Sequence, residues 1–127
     1  MAFADVEAVL ITFLSSVPGV TDVSVEMSNQ PRLPFVRVSR VTGGDDYITD
    51  RPVMYVETFA ADRQTSSDIA RRIDQKMHHL RHTVVGGVLI DYCETINGPF
   101  WSNYQDENME RHIASYAVHS RFNASPI

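Results

Sequence analysis

Three histidines near the middle of the chain, His78, His79 and His82, have the residue type and spacing to bind a metal ion. His78 and His82 lie four residues apart, which places both imidazoles on one face if the helix predicted there reaches His82. The metalloprotease signature needs a Glu directly after the first His, whereas His79 occupies that place. The helix dipole also favours histidines in a last turn. We therefore interpret the cluster as a polar helix end and keep a small metal-dependent enzyme as a distant alternative.

Three aspartates, Asp45, Asp46 and Asp50, follow the pair Gly43 and Gly44 and could suggest a calcium-binding loop. Their spacing differs from that of an EF-hand, and no Glu closes the loop at the required position. The glycine pair also lacks the lysine and the following helix of a phosphate-binding loop. The sequence therefore predicts solvated turn carboxylates here, with no metal and no cofactor.

Cys93 and Trp101 are the remaining residues with distinctive chemistry. Cys93 lies in a predicted strand without the local signature of a catalytic cysteine, so we interpret it as a buried, inert thiol. It is the single cysteine of the chain, which excludes an internal disulfide and favours a reducing compartment. For Trp101 two interpretations stay open, a core anchor or an interface hot spot. No catalytic set is recognisable, and the chain is predicted not to be an enzyme.

The composition indicates one globular domain spanning residues 1–127, with 43% hydrophobic and 21% charged residues. A net charge of −5 and a pI near 5.4 disfavour specific binding to nucleic acid, whose phosphates need clustered Lys and Arg. The apolar N-terminal segment has no basic residue before it and contains Asp5 and Glu7, which argues against a secretion signal or a membrane span. We expect a soluble protein, cytosolic where it is made.

Two apolar stripes at helical spacing predict two amphipathic helices. The first helix has about four turns, its N-terminus could be capped or complemented by Asp5, and Pro18–Gly19 end it. The second begins near a capping box formed by Thr65 and Asp68 and ends near His82. The stripes consist of Phe3, Val6, Leu10, Phe13, Leu14 and Val17 in the first helix, and of Ile69, Ile73, Met77 and Leu80 in the second.

Alternating and β-branched segments predict the strands, with a turn at Asn97–Gly98–Pro99. The expected fold is a two-layer α+β domain in which a mixed, mostly antiparallel sheet of four to five strands carries both helices on one face. The other face is left to solvent or to neighbouring subunits, and residues 123–127 form a frayed tail. The strand segments are 20–25, 35–41, 53–60, 88–95 and 112–122, with a short strand or aromatic arm at 100–104.

The polar loop between the strands 35–41 and 53–60 is the main candidate for function, because a rigid sheet positions such loops while they remain free to vary. Tyr47 and Ile48 could extend the strand ladder into a hairpin arm. The predicted subunit or tube interface consists of Gly43, Gly44, Asp45, Asp46, Tyr47, Asp50, Arg51 and Trp101.

Six segments, which cover most of residues 4–122, stand in a characteristic order: ADVEAVL, LPFVRVSRVTGG, DDYITDRP, VETFAADRQTSSDIA, GPFW and RHIASYAVHSRF. In this order the chain resembles the small tail-terminator, or tail-completion, proteins of long-tailed bacteriophages, particularly those that infect actinobacteria. The ten Arg and single Lys fit a phage of a GC-rich host.

The resemblance implies a structural virion protein without catalysis. Such proteins form hexameric rings that cap the head-proximal end of the tail tube, end its polymerisation and offer a docking surface for the neck. The implied partners are other copies of the chain, the major tail tube protein and a neck or head-completion protein, while DNA passes through the channel without specific binding. Assembly would take place in the host cytoplasm. A head–tail connector or neck ring protein is the nearest alternative.

Overall fold

The computed structural model describes the backbone of residues 5–42, 49–106 and 108–121, and their side chains except those of residues 49, 50 and 121. This part of the chain contains two helices and seven strands. The helices are α1 (Val6–Leu14) and α2 (Arg63–Met77), and the strands are β1 (Asp22–Ser24), β2 (Phe35–Thr42), β3 (Thr49–Asp50), β4 (Val53–Ala60), β5 (Thr83–Val85), β6 (Val88–Ser102) and β7 (Glu110–Arg121).

All seven strands belong to one sheet with the order β1-β2-β4-β7-β6-β5, and β3 pairs with the end of β7. The β1–β2 pair is parallel and the other pairs are antiparallel. The structure thus confirms the predicted mixture of two helices with one mixed, mostly antiparallel sheet. The described strands outnumber the four to five expected, because β3 and β5 have only two and three residues and are too short to show alternation.

Both helices pack against one face of the sheet and share one hydrophobic core with it. The helical half of this core includes Val6, Leu10 and Leu14 of α1 and Ile69, Ile73 and Met77 of α2. The sheet supplies residues that face the same way on neighbouring strands, namely Val36, Val38, Met54, Val56, Ala114, Tyr116 and Val118. Burial of this apolar surface is the main stabilising term of the fold.

Both helix starts are capped by an aspartate. Asp5 caps α1 as predicted, because its Oδ1 accepts a hydrogen bond from the Ala8 backbone N–H at 3.2 Å. The capping box predicted at Thr65 and Asp68 is wrong. Asp62 caps α2 instead and accepts hydrogen bonds from the Thr65 backbone N–H at 2.8 Å and hydroxyl at 2.9 Å.

Both helices also end earlier than predicted. The first ends at Leu14, four residues before the Pro18 that was expected to stop it. The second ends at Met77 with His78 as its C-cap, and His82 has a positive φ of 58°. The prediction that His78 and His82 share a helix face is therefore wrong.

The turn predicted at Asn97–Gly98–Pro99 is also wrong, because β6 continues through these residues without a break. The register shows why: Asn97 pairs with Ser115 and Phe100 with Ile113, so Gly98 and Pro99 together face one residue of β7. Such a bulge accommodates a glycine and a proline that cannot serve a regular ladder, and it bends the strand. Further register shifts lie between Ile90 and Tyr92 and between Thr95 and Asn97, so β6 is curled along much of its length.

Within the three described ranges, neither helix is long and apolar enough to cross a membrane.

Candidate functional site

The sheet face opposite the helices carries a row of polar and aromatic side chains. Strand register places Arg37, Glu57, Ile113 and Phe100 side by side on β2, β4, β7 and β6. Tyr55, one row further along, is 41% exposed and Phe100 is 49% exposed. Exposed aromatic surface beside charged residues is typical of protein contact sites.

A charged cluster of two arginines and one glutamate lies at one end of this face. Glu57 is 8% exposed and receives two hydrogen bonds from Arg37, from Nε at 2.9 Å and from Nη2 at 3.0 Å. Arg111 Nη1 donates to the same carboxylate at 3.2 Å. The hydrogen bond to Glu57 raises the pKa of Arg37 above its ordinary value, although burial acts against it. Since two guanidinium groups meet one carboxylate, the cluster carries one net positive charge.

Other contacts hold Arg111 in place. Its Nη2 donates to the Ser102 hydroxyl and to the Asn103 carbonyl, both at 2.9 Å, and its guanidinium lies 5.1 Å from the centre of the Tyr104 ring. The buried Nε of Arg111 has no hydrogen-bond acceptor in the described part of the chain. Buried donors without an acceptor are uncommon in proteins, which makes this group notable.

These arginines line a cleft of about 660 Å³, which we call the arginine cleft. It lies where β2 and β7 begin and β4 and β6 end. A small apolar cluster around Phe35, Phe59 and Met109 packs beneath the cleft. The Tyr104 ring packs edge-on against the Phe59 ring, with 5.1 Å between the ring centres. Such a site can hold a carboxylate, because a guanidinium donates in the planar geometry that a carboxylate accepts. Its walls are Met27, Ser28, Asn29, Arg37, Asn103, Tyr104, Gln105, Asp106, Met109 and Arg111.

A partly buried polar group on the helix-covered face ties α2 to the sheet. Asp74 Oδ1 accepts hydrogen bonds from the Tyr116 hydroxyl at 2.9 Å and from the Thr95 hydroxyl at 3.2 Å. His78 Nε2 lies within hydrogen-bond distance of the Thr95 hydroxyl at 3.2 Å and 3.6 Å from the other Asp74 oxygen. Among the residues the structure describes, no group of three or more His, Cys, Asp or Glu side chains could hold a metal ion.

A second buried pair joins Ser66 of α2 to His112 of β7. The Ser66 Oγ and His112 Nδ1 lie 2.6 Å apart, and Ser66 Oγ also donates to the Arg63 carbonyl at 3.1 Å. Burial, together with the positive charges of Arg63 and Arg71, lowers the pKa of His112. A Ser–His contact can activate a nucleophile, but the fully buried Ser66 hydroxyl offers no access to a substrate. The pair therefore positions the helix on the sheet.

Cys93 is 7% exposed, in agreement with the predicted buried thiol. Burial raises the pKa of its thiol to about 12, which keeps it protonated near neutral pH.

The structure describes three of the eight predicted interface residues, Asp50, Arg51 and Trp101. Gly43–Tyr47 lie outside the described residues. Asp50 belongs to β3 and pairs with Ser120, whereas Trp101 pairs with His112. Eight residues of β7 separate these two positions, a distance of about 27 Å along the strand.

Trp101 lies at the edge of the helix-covered face and is 38% exposed, so it is not a core anchor. Its Nε1 donates to Glu110 at 2.8 Å, and the Arg63 guanidinium lies 4.5 Å from its ring centre. Arg51 is exposed and lies in the break between β3 and β4. An interface role for Trp101 and Arg51 remains a prediction.

The sequence reasoning missed the arginine cleft, although one signal was present. Glu57 is the only charged residue of the segment 53–60, which otherwise suits a central strand, and a charge in such a strand needs a partner. Arg37 points away from the apolar positions Val36 and Val38 of the neighbouring strand. The contact between Arg37 and Glu57 depends on the register of β2 against β4, which no local sequence pattern shows.

No protein-family model matches this chain, and no curated protein matches it in sequence. Its fold does match solved structures, including a chain from the "Virion of native gene transfer agent (GTA) particle". That match has a TM-score of 0.60 at 13% sequence identity and covers 85% of this chain and 84% of that chain. At such low identity the likeness establishes a shared fold along most of both chains.

Proposed function

We propose that this chain is a structural virion protein that forms a ring at the head-proximal end of a phage tail tube. The ring ends tube polymerisation and offers a docking surface for the neck. One observation carries the proposal: the fold matches a chain of a gene transfer agent virion over 85% of this chain and 84% of that chain. The order of segments quoted above independently resembles tail-terminator proteins of actinobacteriophages.

The arrangement of surfaces supports a ring. A closed ring needs head-to-tail contacts, in which two different surfaces of each subunit meet. The arginine cleft occupies one end of the sheet. The polar segment 43–51 is attached at the other end, where Thr42 pairs with Val53 and Thr49 pairs with Arg121. Each subunit thus carries two distinct candidate contact surfaces at opposite ends.

The proposed partners are other copies of this chain in a hexamer, the major tail tube protein and a neck or head-completion protein. The contact residues remain those predicted from sequence, Gly43, Gly44, Asp45, Asp46, Tyr47, Asp50, Arg51 and Trp101. DNA would pass through the channel without specific binding, and a net charge of −5 is compatible with that passage because like charges repel. In this role the protein catalyses no reaction.

Mass measurement and electron microscopy of the purified protein, with and without tail tubes, test the proposal. We expect rings of six subunits at one end only of each tube and a fixed tube length in their presence. Rings that bind portal or adaptor proteins but not tubes would instead favour the neck protein. A protein that binds neither tubes nor neck components would contradict both assignments.

A further inference from the structure

We propose that neighbouring copies in the ring join their sheets edge to edge, with β1 of one copy paired to the end of β6 of the next. The inference rests on the proposed function and names the two surfaces that meet between subunits. The paired residues are Asp22–Ser24 of one copy and Phe100–Ser102 of the other.

The two outer edges of the sheet are open over long stretches. On the outer side of β6, β5 covers residues 88–90, and no other described strand pairs there. At the opposite edge, no described strand pairs with the outer side of β1. An edge strand carries backbone N–H and C=O groups without partners, and these groups can pair with a strand of another chain.

The exposed apolar side chains collect at the same two edges. Among the described residues eight large hydrophobic side chains are exposed, and only Tyr55 belongs to an inner strand of the sheet. The others are Val25 and Val41 on the side of β1 and β2, and Val84, Leu89, Ile96, Phe100 and Trp101 on the side of β5 and β6. Charged residues usually protect an edge from pairing, and residues 95–102 contain none. Contact with a second copy removes this apolar surface from water.

Strand register places β1 and the end of β6 at the same height of the sheet. Followed across β2, β4 and β7, the rows of Asp22, Val23 and Ser24 end at Ser102, Trp101 and Phe100, respectively. A second copy placed beside β6 in the plane of the sheet, without a shift along the strands, therefore sets its β1 next to residues 100–102.

The strand directions and lengths also fit. β6 is antiparallel to β7, β7 to β4 and β4 to β2, whereas β1 is parallel to β2. β1 and β6 therefore run in opposite directions, and the new pair is antiparallel. The bulge at Gly98 and Pro99 interrupts the edge of β6, because proline has no N–H to donate. Beyond the bulge β6 has three regularly paired residues, which is the length of β1.

The two joined edges differ, so the contact is head-to-tail, as a closed ring requires. Pairing between two β6 edges would leave Val25 and Val41 exposed, whereas the head-to-tail contact brings both edges of every copy into an interface. The contact uses the lateral edges of the sheet, so the two ends of its strands can meet the tube and the neck protein.

Disulfide cross-linking tests this contact. The double variant Asp22→Cys, Ser102→Cys is made in a Cys93→Ala background, so that it has two thiols. Within one copy the two positions lie four strand spacings apart, about 19 Å, whereas a disulfide needs Cα atoms within about 7 Å. Between copies they form a cross-strand pair. Oxidation of the protein, alone and with tail tubes, should give a ladder of covalent oligomers up to the size of the ring.

The matched control carries Tyr55→Cys in place of Asp22→Cys and should stay monomeric after oxidation, because Tyr55 lies on an inner strand. Each single-cysteine variant should also stay monomeric, whereas an equal mixture of Asp22→Cys and Ser102→Cys should give dimers. The inference is overturned if the double variant forms no ladder in either condition. Dimers formed by Ser102→Cys alone would overturn it as well, since they would show that two β6 edges pair with each other.

A lysine at the edge tests the same contact without thiols. Phe100→Lys should abolish rings, because a lysine on an edge strand opposes pairing with another chain. Tyr55→Lys is the matched control and should keep them, since Tyr55 is similarly exposed but lies away from both edges. Tube-capping rings that persist in Phe100→Lys contradict the inference and leave the proposed function standing. Cross-linked rings that never cap tubes contradict the proposed function and leave the contact standing.

Discussion

The hydroxyl of Tyr116 donates a hydrogen bond of 2.9 Å to Asp74, so the central strand β7 holds helix α2 through a fully buried phenol. The same Asp74 oxygen accepts a hydrogen bond from Thr95 of β6. One helical carboxylate thereby connects three elements that are distant in sequence. Burial and the nearby Asp74 raise the pKa of Tyr116, so the phenol stays protonated and remains a donor.

Replacing Tyr116 with Phe should lower the free energy of unfolding by about 2 kcal/mol, since a partly buried hydrogen bond to a charged acceptor is lost. Urea denaturation measures this change. Tyr92→Phe is the matched control, because the Tyr92 hydroxyl donates to Glu94 at the surface. The control should unfold at nearly the wild-type urea concentration, and an equal loss in both variants would contradict the assigned role of Tyr116.

Glu57→Gln should destabilise the protein by about 3–5 kcal/mol, because it removes the carboxylate that balances two partly buried guanidinium groups. Calorimetry or chemical denaturation provides the measurement. Glu94→Gln, at an exposed position of β6, is the control and should change the stability by no more than about 0.5 kcal/mol. A Glu57→Gln protein as stable as its control would show that the Glu57 carboxylate does not offset the positive charges of Arg37 and Arg111.

Cys93 should resist modification in the folded protein, because burial raises the pKa of its thiol to about 12 and blocks the reagent. A thiol reagent should label it only after denaturant is added. Rapid labelling of the native protein at neutral pH would contradict this placement.

The same pKa shift predicts an alkaline loss of stability. The unfolded thiol ionises near pH 9 and the folded one near pH 12, so above pH 9 the unfolded state binds fewer protons and is favoured. The Cys93→Ala variant should therefore lose stability less steeply between these pH values than the wild type. Parallel denaturation curves across that range would disprove the shift.

His112 should make the protein less stable in acid. The pKa of His112 is lowered in the folded state. Below the ordinary value of 6.5 the unfolded state therefore binds more protons, and the stability decreases as the pH decreases. His112→Gln removes this titration. Thermal denaturation between pH 5 and 7.5 should show a smaller pH dependence for the variant than for the wild type, and an identical dependence would exclude His112 as its source.

The sequence alone determined the elements whose signals are local. Strand β4 runs from Val53 to Ala60 as predicted, because β-branched and aromatic residues make up most of the segment. The Asp5 cap was visible because a capping aspartate acts within three residues of itself. The buried Cys93 was expected because a thiol in a predicted strand, without a catalytic signature, is usually inert and buried.

Signals of the same kind misled where two local structures compete for one segment. A glycine and a proline at positions 98 and 99 serve a turn or a bulge, and pairing with β7 selected the bulge. The row of capping residues before α2 allowed several starting points, and Asp62 was selected where the chain leaves β4.

Only the tertiary structure decided which distant residues meet. Ser66 and His112 are 46 positions apart, Tyr116 and Asp74 are 42 apart, and Arg37 and Glu57 are 20 apart. Each contact depends on strand register and on how a helix lies across the sheet. Strand register and helix placement are set by the burial of the whole apolar face. The free energy of that burial is a sum over many residues, so no short segment of the sequence reveals it.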